Sequence, residues 1–187
     1  MTNKLRVLKF KPVHIFVFVW ASVLLACIVY LSNLRMGLFD PNNQLTLLAA
    51  QSDFEDRFVM HLTQHGINTQ QSVVHFYTQN QCYCQSVADL HIDSVVELAQ
   101  VQGYDNIQVE LDQSTNIATF IPSTPAVAVF NQQGRLVYFG PYATGLFCAP
   151  QQGIVEDYIG PTTEYFGPTI ITDAQGCYCY DTPPFAW

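Results

Sequence analysis

Positive charge is what this chain has least of. Seven Lys and Arg residues stand against fifteen Asp and Glu, a formal net charge of −8. Four of the seven (Lys4, Arg6, Lys9, Lys11) fall in the first eleven positions. After Pro12 only Arg35, Arg57 and Arg135 oppose fifteen acidic residues, a net of −12. Nucleic-acid binding needs clustered Lys and Arg to displace counterions, so that class of partner is excluded. The acidic balance serves solubility. Also missing are a Gly-rich phosphate loop, a Gly-x-Ser-x-Gly elbow and a His-Glu-x-x-His pair, and no Ser, His and Asp are spaced to single out a triad. There is no long repeat and no Asn-x-Ser/Thr sequon.

What is present begins with an apolar run. Val13 to Leu31 is broken only by His14 and Ser22. About twenty apolar residues span a bilayer core, so the run reads as a transmembrane helix. The basic head before it places the N-terminus in the cytosol and the rest outside, in the periplasm of a bacterial envelope. A cleaved signal peptide shows the same basic start and apolar core. Leu24-Leu25-Ala26-Cys27 also has the form of a lipoprotein box, in which Cys27 would carry the lipid. Ile28 to Leu31 continue the apolar run past that point, which favours an uncleaved anchor in the inner membrane.

The expected layout is a head (1–12), a membrane helix (13–32), a connector (33–51), a folded domain (52–160) and a cysteine-containing tail packed back onto it (161–187). Five of the six cysteines (Cys82, Cys84, Cys148, Cys177, Cys179) lie in the exported part, where disulfides persist. Five is odd, so fifteen two-bridge connectivities are open. Cys148 lies among Gly145, Pro150 and Gly153, which suits a loop. Bridged to Cys177 or Cys179, it would pin the tail, so Cys148, Cys177 and Cys179 are candidates for a structural disulfide.

Within the domain, Ser52 and Glu55 have the spacing of a capping box, and Phe54, Phe58 and Leu62 follow at helical intervals up to Gly66. Val73 to Tyr77 reads as a buried strand. Gln81-Cys82-Tyr83-Cys84-Gln85 comes next, then Ser86 to Gln102 with the period of an amphipathic helix. Ala88, Ile92, Val95 and Ala99 share one side of that helix, and Asp89, Asp93 and Glu97 form a solvated strip on the other. Ile107 to Leu111 alternates like a strand. Asn116 to Ser123 holds no long helix. Ala126 to Phe130 and Arg135 to Phe139, joined by Asn131-Gln132-Gln133-Gly134, make a hairpin. Ile154 to Ile159 suits a short last helix. Cys82 and Cys84 thus sit where a strand turns into a helix, and the free N–H groups there stabilise a thiolate.

This order (strand, cysteine pair, helix, strand, Thr-Pro, hairpin) resembles the thioredoxin-like superfamily. Pro125 lies 43 positions after Cys82 and directly before a strand, as that family's cis-proline does. The sequence is most similar to uncharacterised, membrane-anchored thioredoxin-like proteins of proteobacteria. The resemblance implies an α/β thioredoxin-like fold, a central mixed sheet flanked by helices, preceded by one transmembrane helix. It also implies catalytic roles. Cys82 would be the exposed nucleophile, Pro125 the cis-proline beside it, and Thr124 would present its backbone to a substrate chain. The departure is the spacing: the family pattern is Cys-x-x-Cys, and here Gln85 stands where its second cysteine would be.

Three chemistries use these sulfurs. In thiol–disulfide exchange with an exported protein substrate, Cys82 attacks and Cys84 resolves, or Cys177 or Cys179 does so from a docked tail. A bond between Cys82 and Cys84 would close a very small ring; the alternative is that the two never pair. In a copper or zinc site, Cys82, Cys84, Cys177 and Cys179 supply four thiolates. His91 lies about 10 Å along the helix from Cys84, too far for a direct pair. His75 on the preceding strand reads as a packed histidine. In the third chemistry the disulfides only staple an interaction domain.

Overall fold

The computed structural model of the chain describes residues 11–34, 36–78, 82–111, 116–145, 153–160 and 165–180. It has two units, residues 1–35 and 36–187. The first is helix α1 (Pro12–Asn33), opened by a proline at its first position, where the missing N–H costs nothing. The stretch Pro12–Leu31 has a mean hydropathy of 2.4 and is long and apolar enough to cross a membrane.

The second unit runs β1 (Gly37–Leu38), α2 (Gln44–Ala49), α3 (Phe54–Gln64), β2 (Ser72–Tyr77), α4 (Tyr83–Val101), β3 (Asp105–Glu110) and a 3-10 turn at Asn116–Phe120. It continues with β4 (Ala126–Phe130), β5 (Leu136–Gly140), a second 3-10 turn at Val155–Tyr158, β6 (Thr169–Ile170) and β7 (Gln175–Gly176). Five strands form a mixed sheet in the order β3-β2-β4-β5-β6. β2 is parallel to β3, as a helical crossover through α4 requires, and antiparallel to β4. β4 and β5 are the antiparallel hairpin, and β6 lies parallel to β5. A separate two-stranded sheet pairs β1 with β7.

β4 and β5 are buried along their whole length, which is why they read as unbroken apolar runs. Alternation then divides the side chains between two layers. Val74, Phe76, Ala128 and Phe130 join Phe54, Phe58 and Leu62 of α3. Val73, Val127 and Val129 meet Val95 and Ala99 of α4. Ala88 and Ala99 are fully buried and small, so α4 can lie close to the sheet, while Asp89, Asp93 and Glu97 face outward as expected.

Phe58 is fully buried and its ring meets those of Phe54, Phe76, Phe120, Phe130 and Phe139. Phe58→Ala is therefore expected to cost about 3–5 kcal/mol of unfolding free energy, measured as a drop in the urea midpoint. A loss below about 1 kcal/mol would mean that this cluster is not a packed core.

Several boundaries differ from expectation. The capping box does not form: α3 is capped by Asp53 without a side-chain bond. Glu55 is drawn across to the hairpin, where it accepts from Arg135 Nε (2.6 Å), the Leu136 amide (3.1 Å) and the Tyr165 hydroxyl (2.8 Å). A charged, bidentate guanidinium outcompetes the local backbone amide. The region expected as a connector is folded, with Phe39 and Leu45 fully buried. The last expected helix is a single 3-10 turn, whereas Asn116 to Ser123 holds no long helix, as expected.

Candidate functional site

Helix α4 starts three residues before Ser86. Cys82 is its N-cap, with extended dihedrals (φ −84°, ψ 127°), and its carbonyl accepts from the Gln85 amide at 3.1 Å. The Cys-x-Cys pair therefore straddles the first turn of the helix: Cys82 caps it, and Cys84 is already helical. Cys82 is partly buried, and Cys84 is 7% exposed.

Neither cysteine is bonded to the other. Cys82 is joined to Cys179, with Cα atoms 6.0 Å apart, and Cys84 to Cys177, 5.2 Å apart. The Cys82–Cys84 bond considered above is thus replaced by two bonds to the tail. The expected staple from Cys148 to Cys177 or Cys179 is likewise corrected. Both tail cysteines are taken by α4, and Cys148 lies outside the described residues. Cys177 and Cys179 follow β7 with the same two-residue spacing that Cys82 and Cys84 have at the helix start. All four sulfur-bearing side chains form one cluster. Cys27 is a free cysteine, exposed on α1.

Thr124 and Pro125 stand beside this cluster. Their peptide bond is cis, the geometry that the family resemblance implied. Ser123 Oγ donates to the Phe39 carbonyl at 2.7 Å, and the hydroxyls of Thr124 and Thr78 lie 3.4 Å apart, which fixes the loop against the end of β2. Thr124 is 1% exposed, yet its backbone is fully paired. Its N–H donates to the Cys179 carbonyl (3.0 Å), and the Cys179 N–H donates back to the Thr124 carbonyl (2.7 Å). This is one antiparallel bridge between the proline loop and the tail.

The tail reaches that position through a firm anchor just upstream. The Phe39 amide donates to the Ala174 carbonyl (2.8 Å), Gly145 N–H to Gln175 (2.7 Å), and Cys177 N–H to Gly145 (3.2 Å). Tyr178 packs edge-on against Phe39, with ring centroids 5.3 Å apart, and its hydroxyl donates to the Ala143 carbonyl at 3.2 Å. After Tyr178, Cys179 has its bridge and its disulfide, and Tyr180 packs against the main core with its hydroxyl donating to the Leu38 carbonyl at 2.6 Å.

The histidines considered as ligands are engaged elsewhere. His75 Nδ1 accepts from the Tyr142 hydroxyl (2.5 Å), and its Nε2–H donates to Asn106 Oδ1 (2.8 Å). Burial pushes its pKa down, only partly offset by the bond to Asn106, and burial also raises that of Tyr142, so Tyr142 is the proton donor of the pair. His91 is fully buried, with Nε2 2.7 Å from Glu156 Oε1. Among the described residues no group of three or more His, Cys, Asp and Glu is arranged to hold a metal ion.

What residue-by-residue reading passed over is the nesting of the four cysteines, outer with outer and inner with inner. The signal was available: Cys-Tyr-Cys occurs twice with identical spacing, at 82–84 and 177–179. Two pairs of equal sequence spacing, one at a helix start and one just after β7, can bond side by side.

No curated protein matches the chain, and no solved structure does. A protein-family comparison does match, over residues 51–181, a span that takes in the proline loop and both tail cysteines. As that match covers more than half of the sequence, the chain belongs to the family described as "Domain of unknown function (DUF6436)".

Proposed function

We propose that this protein is a membrane-anchored thiol–disulfide exchange protein of the bacterial envelope, built on a thioredoxin-like domain. Cys82 is the attacked and attacking sulfur, and Cys179 is its resolving partner. The observation that carries the reading is the place of the Cys82–Cys179 bond. It joins a partly buried helix N-cap to a tail residue paired with the backbone of the Thr124–Pro125 loop. A helix N-terminus lowers the cost of the Cys82 thiolate, which makes Cys82 a good leaving group and a competent nucleophile. The mixed sheet with α4 crossing from β2 to parallel β3 supports the thioredoxin-like assignment. The apolar α1 supports the anchor. Cys84–Cys177, whose sulfurs belong to residues 7% and 2% exposed, then serves as a staple that holds Cys179 at its post.

The test is a redox titration of the full chain in detergent micelles against glutathione, with thiols counted by alkylation and mass. The expected result is a reversible two-electron transition that frees Cys82 and Cys179 together. Both disulfides staying closed at strongly reducing potential would leave only the stapled interaction domain. Because the four sulfurs cluster, the fully reduced form offers a four-thiolate donor set of the kind copper(I) and zinc favour. Stoichiometric metal on Cys82, Cys84, Cys177 and Cys179 in the same samples would favour that reading instead.

A further inference from the structure

We infer that Cys179 of the tail is a built-in occupant of the edge on which a partner polypeptide docks. A partner engages only as the Cys179 backbone leaves Thr124. The chemistry rests on the exchange reading above; the occupancy rests on the backbone pairing alone.

Cys179 is held differently from its neighbours on both sides, since Tyr180 also packs against the core and bonds to Leu38. Up to Tyr178 the tail is part of the fold, through the β1–β7 pairing, the Tyr178–Phe39 contact and the buried inner disulfide. Cys179 instead offers the loop one reciprocal pair of backbone hydrogen bonds and one disulfide. These are the interactions an extended segment of any sequence can make, given a cysteine at the matching position. Thr124 is 1% exposed, so its N–H and C=O cannot be left bare without cost. The edge is therefore a site that must be filled, by the tail or by what replaces it. An extended dithiol segment of another protein fits this requirement.

The exchange balances with that partner alone. A partner thiolate attacks Cys82 Sγ, the Cys82–Cys179 bond breaks, and Cys179 leaves as a thiolate that takes up a proton. The partner's second thiolate then attacks its own sulfur in the mixed disulfide and releases Cys82. Two electrons and two protons have passed to Cys82 and Cys179, and the partner departs with a disulfide. Cys84–Cys177 is untouched and keeps the tail tethered, ready to return.

Two variants that free the same Cys82 thiol separate gating from reactivity. Cys179→Ser keeps the backbone pair to Thr124, whereas Cys179→Pro removes the donor N–H. Both are made in the full chain with Cys27→Ser, in micelles. The probe is a synthetic Gln-Gly-Ser-Tyr-Cys-Tyr peptide carried as its mixed disulfide with thionitrobenzoate. Cys82 attacks the peptide sulfur, and release of thionitrobenzoate is read by absorbance. Rates are normalised to those with the free dithiobis reagent, which reports thiol reactivity alone. Cys179→Pro is expected to capture the peptide about tenfold faster than Cys179→Ser, the scale of one lost backbone hydrogen bond. Equal normalised rates would overturn the inference. Should Cys179→Pro fail to fold, hydrogen exchange at the Thr124 amide of the wild-type chain decides. Exchange should accelerate at least about tenfold once the outer bond is reduced, and unchanged protection would overturn the inference. Neither measurement requires redox turnover, so a failure of the exchange function would be seen separately, in the glutathione titration.

Discussion

Cys82→Ser, made together with Cys27→Ser, is expected to cut the rate with a disulfide-linked peptide by at least about a hundredfold, because the Cys179 thiol left behind lacks the helix N-terminus that stabilises the Cys82 thiolate. The fold should stand, since the inner Cys84–Cys177 bond still closes nearly the same stretch of chain. Cys179→Ser should behave differently. Cys82 can still be attacked and can still form a mixed disulfide, but nothing positioned beside it releases the partner. Trapped mixed disulfides on Cys82, visible on non-reducing gels, are the expected signature. Turnover that persists in Cys82→Ser would end the exchange reading, and traps that form equally on Cys84 would reassign the nucleophile.

The second large effect is on stability and is strongly non-additive. The two bonds enclose almost the same chain, with sequence separations of 97 and 93. With either bond intact, the other closes only a six-residue ring made of 82–84 and 177–179. In the chain-entropy account, closing such a ring contributes about 2 kcal/mol, whereas closing the long loop contributes about 4.7 kcal/mol. Replacing Cys84 and Cys177 by serine should therefore lower the unfolding free energy by about 2 kcal/mol, and so should replacing Cys82 and Cys179. Replacing all four should cost about 7 kcal/mol, a large part of the 5–15 kcal/mol that a domain possesses. Urea melts of the three variants in the same micelles test this as a double-mutant cycle. Simple additivity would mean that the bonds act by local packing and not by holding the chain's ends together.

The parts of the fold readable from residues were those set by local pattern. Val73 to Tyr77, the α4 stripe of Ala88, Val95 and Ala99, and the hairpin around Gly134 each follow from a period or a turn residue. The likeness in spacing between Cys82 and Pro125 located the loop that the structure brings beside Cys179. What could not be read is what depends on distant partners. Glu55 looked like a cap because Ser52 is three residues away; its actual partner, Arg135, is eighty residues downstream. β6 and β7 are two residues each, too short for alternation to show, and they exist only because β5 and β1 offer them an edge. The disulfide pairing escaped for the same reason. Cysteine spacing restricts what can bond locally, but the choice between Cys148 and α4 for the tail is made by the folded sheet.

The order in which the sulfurs are joined bears on how the protein is made. The nearest pairs in sequence, 82 with 84 and 177 with 179, are not the pairs joined in the finished protein. Any chain that closes those local bonds first must exchange them before Cys179 can reach Thr124, so a cell lacking a disulfide-shuffling catalyst would retain such chains with their proline loops uncovered.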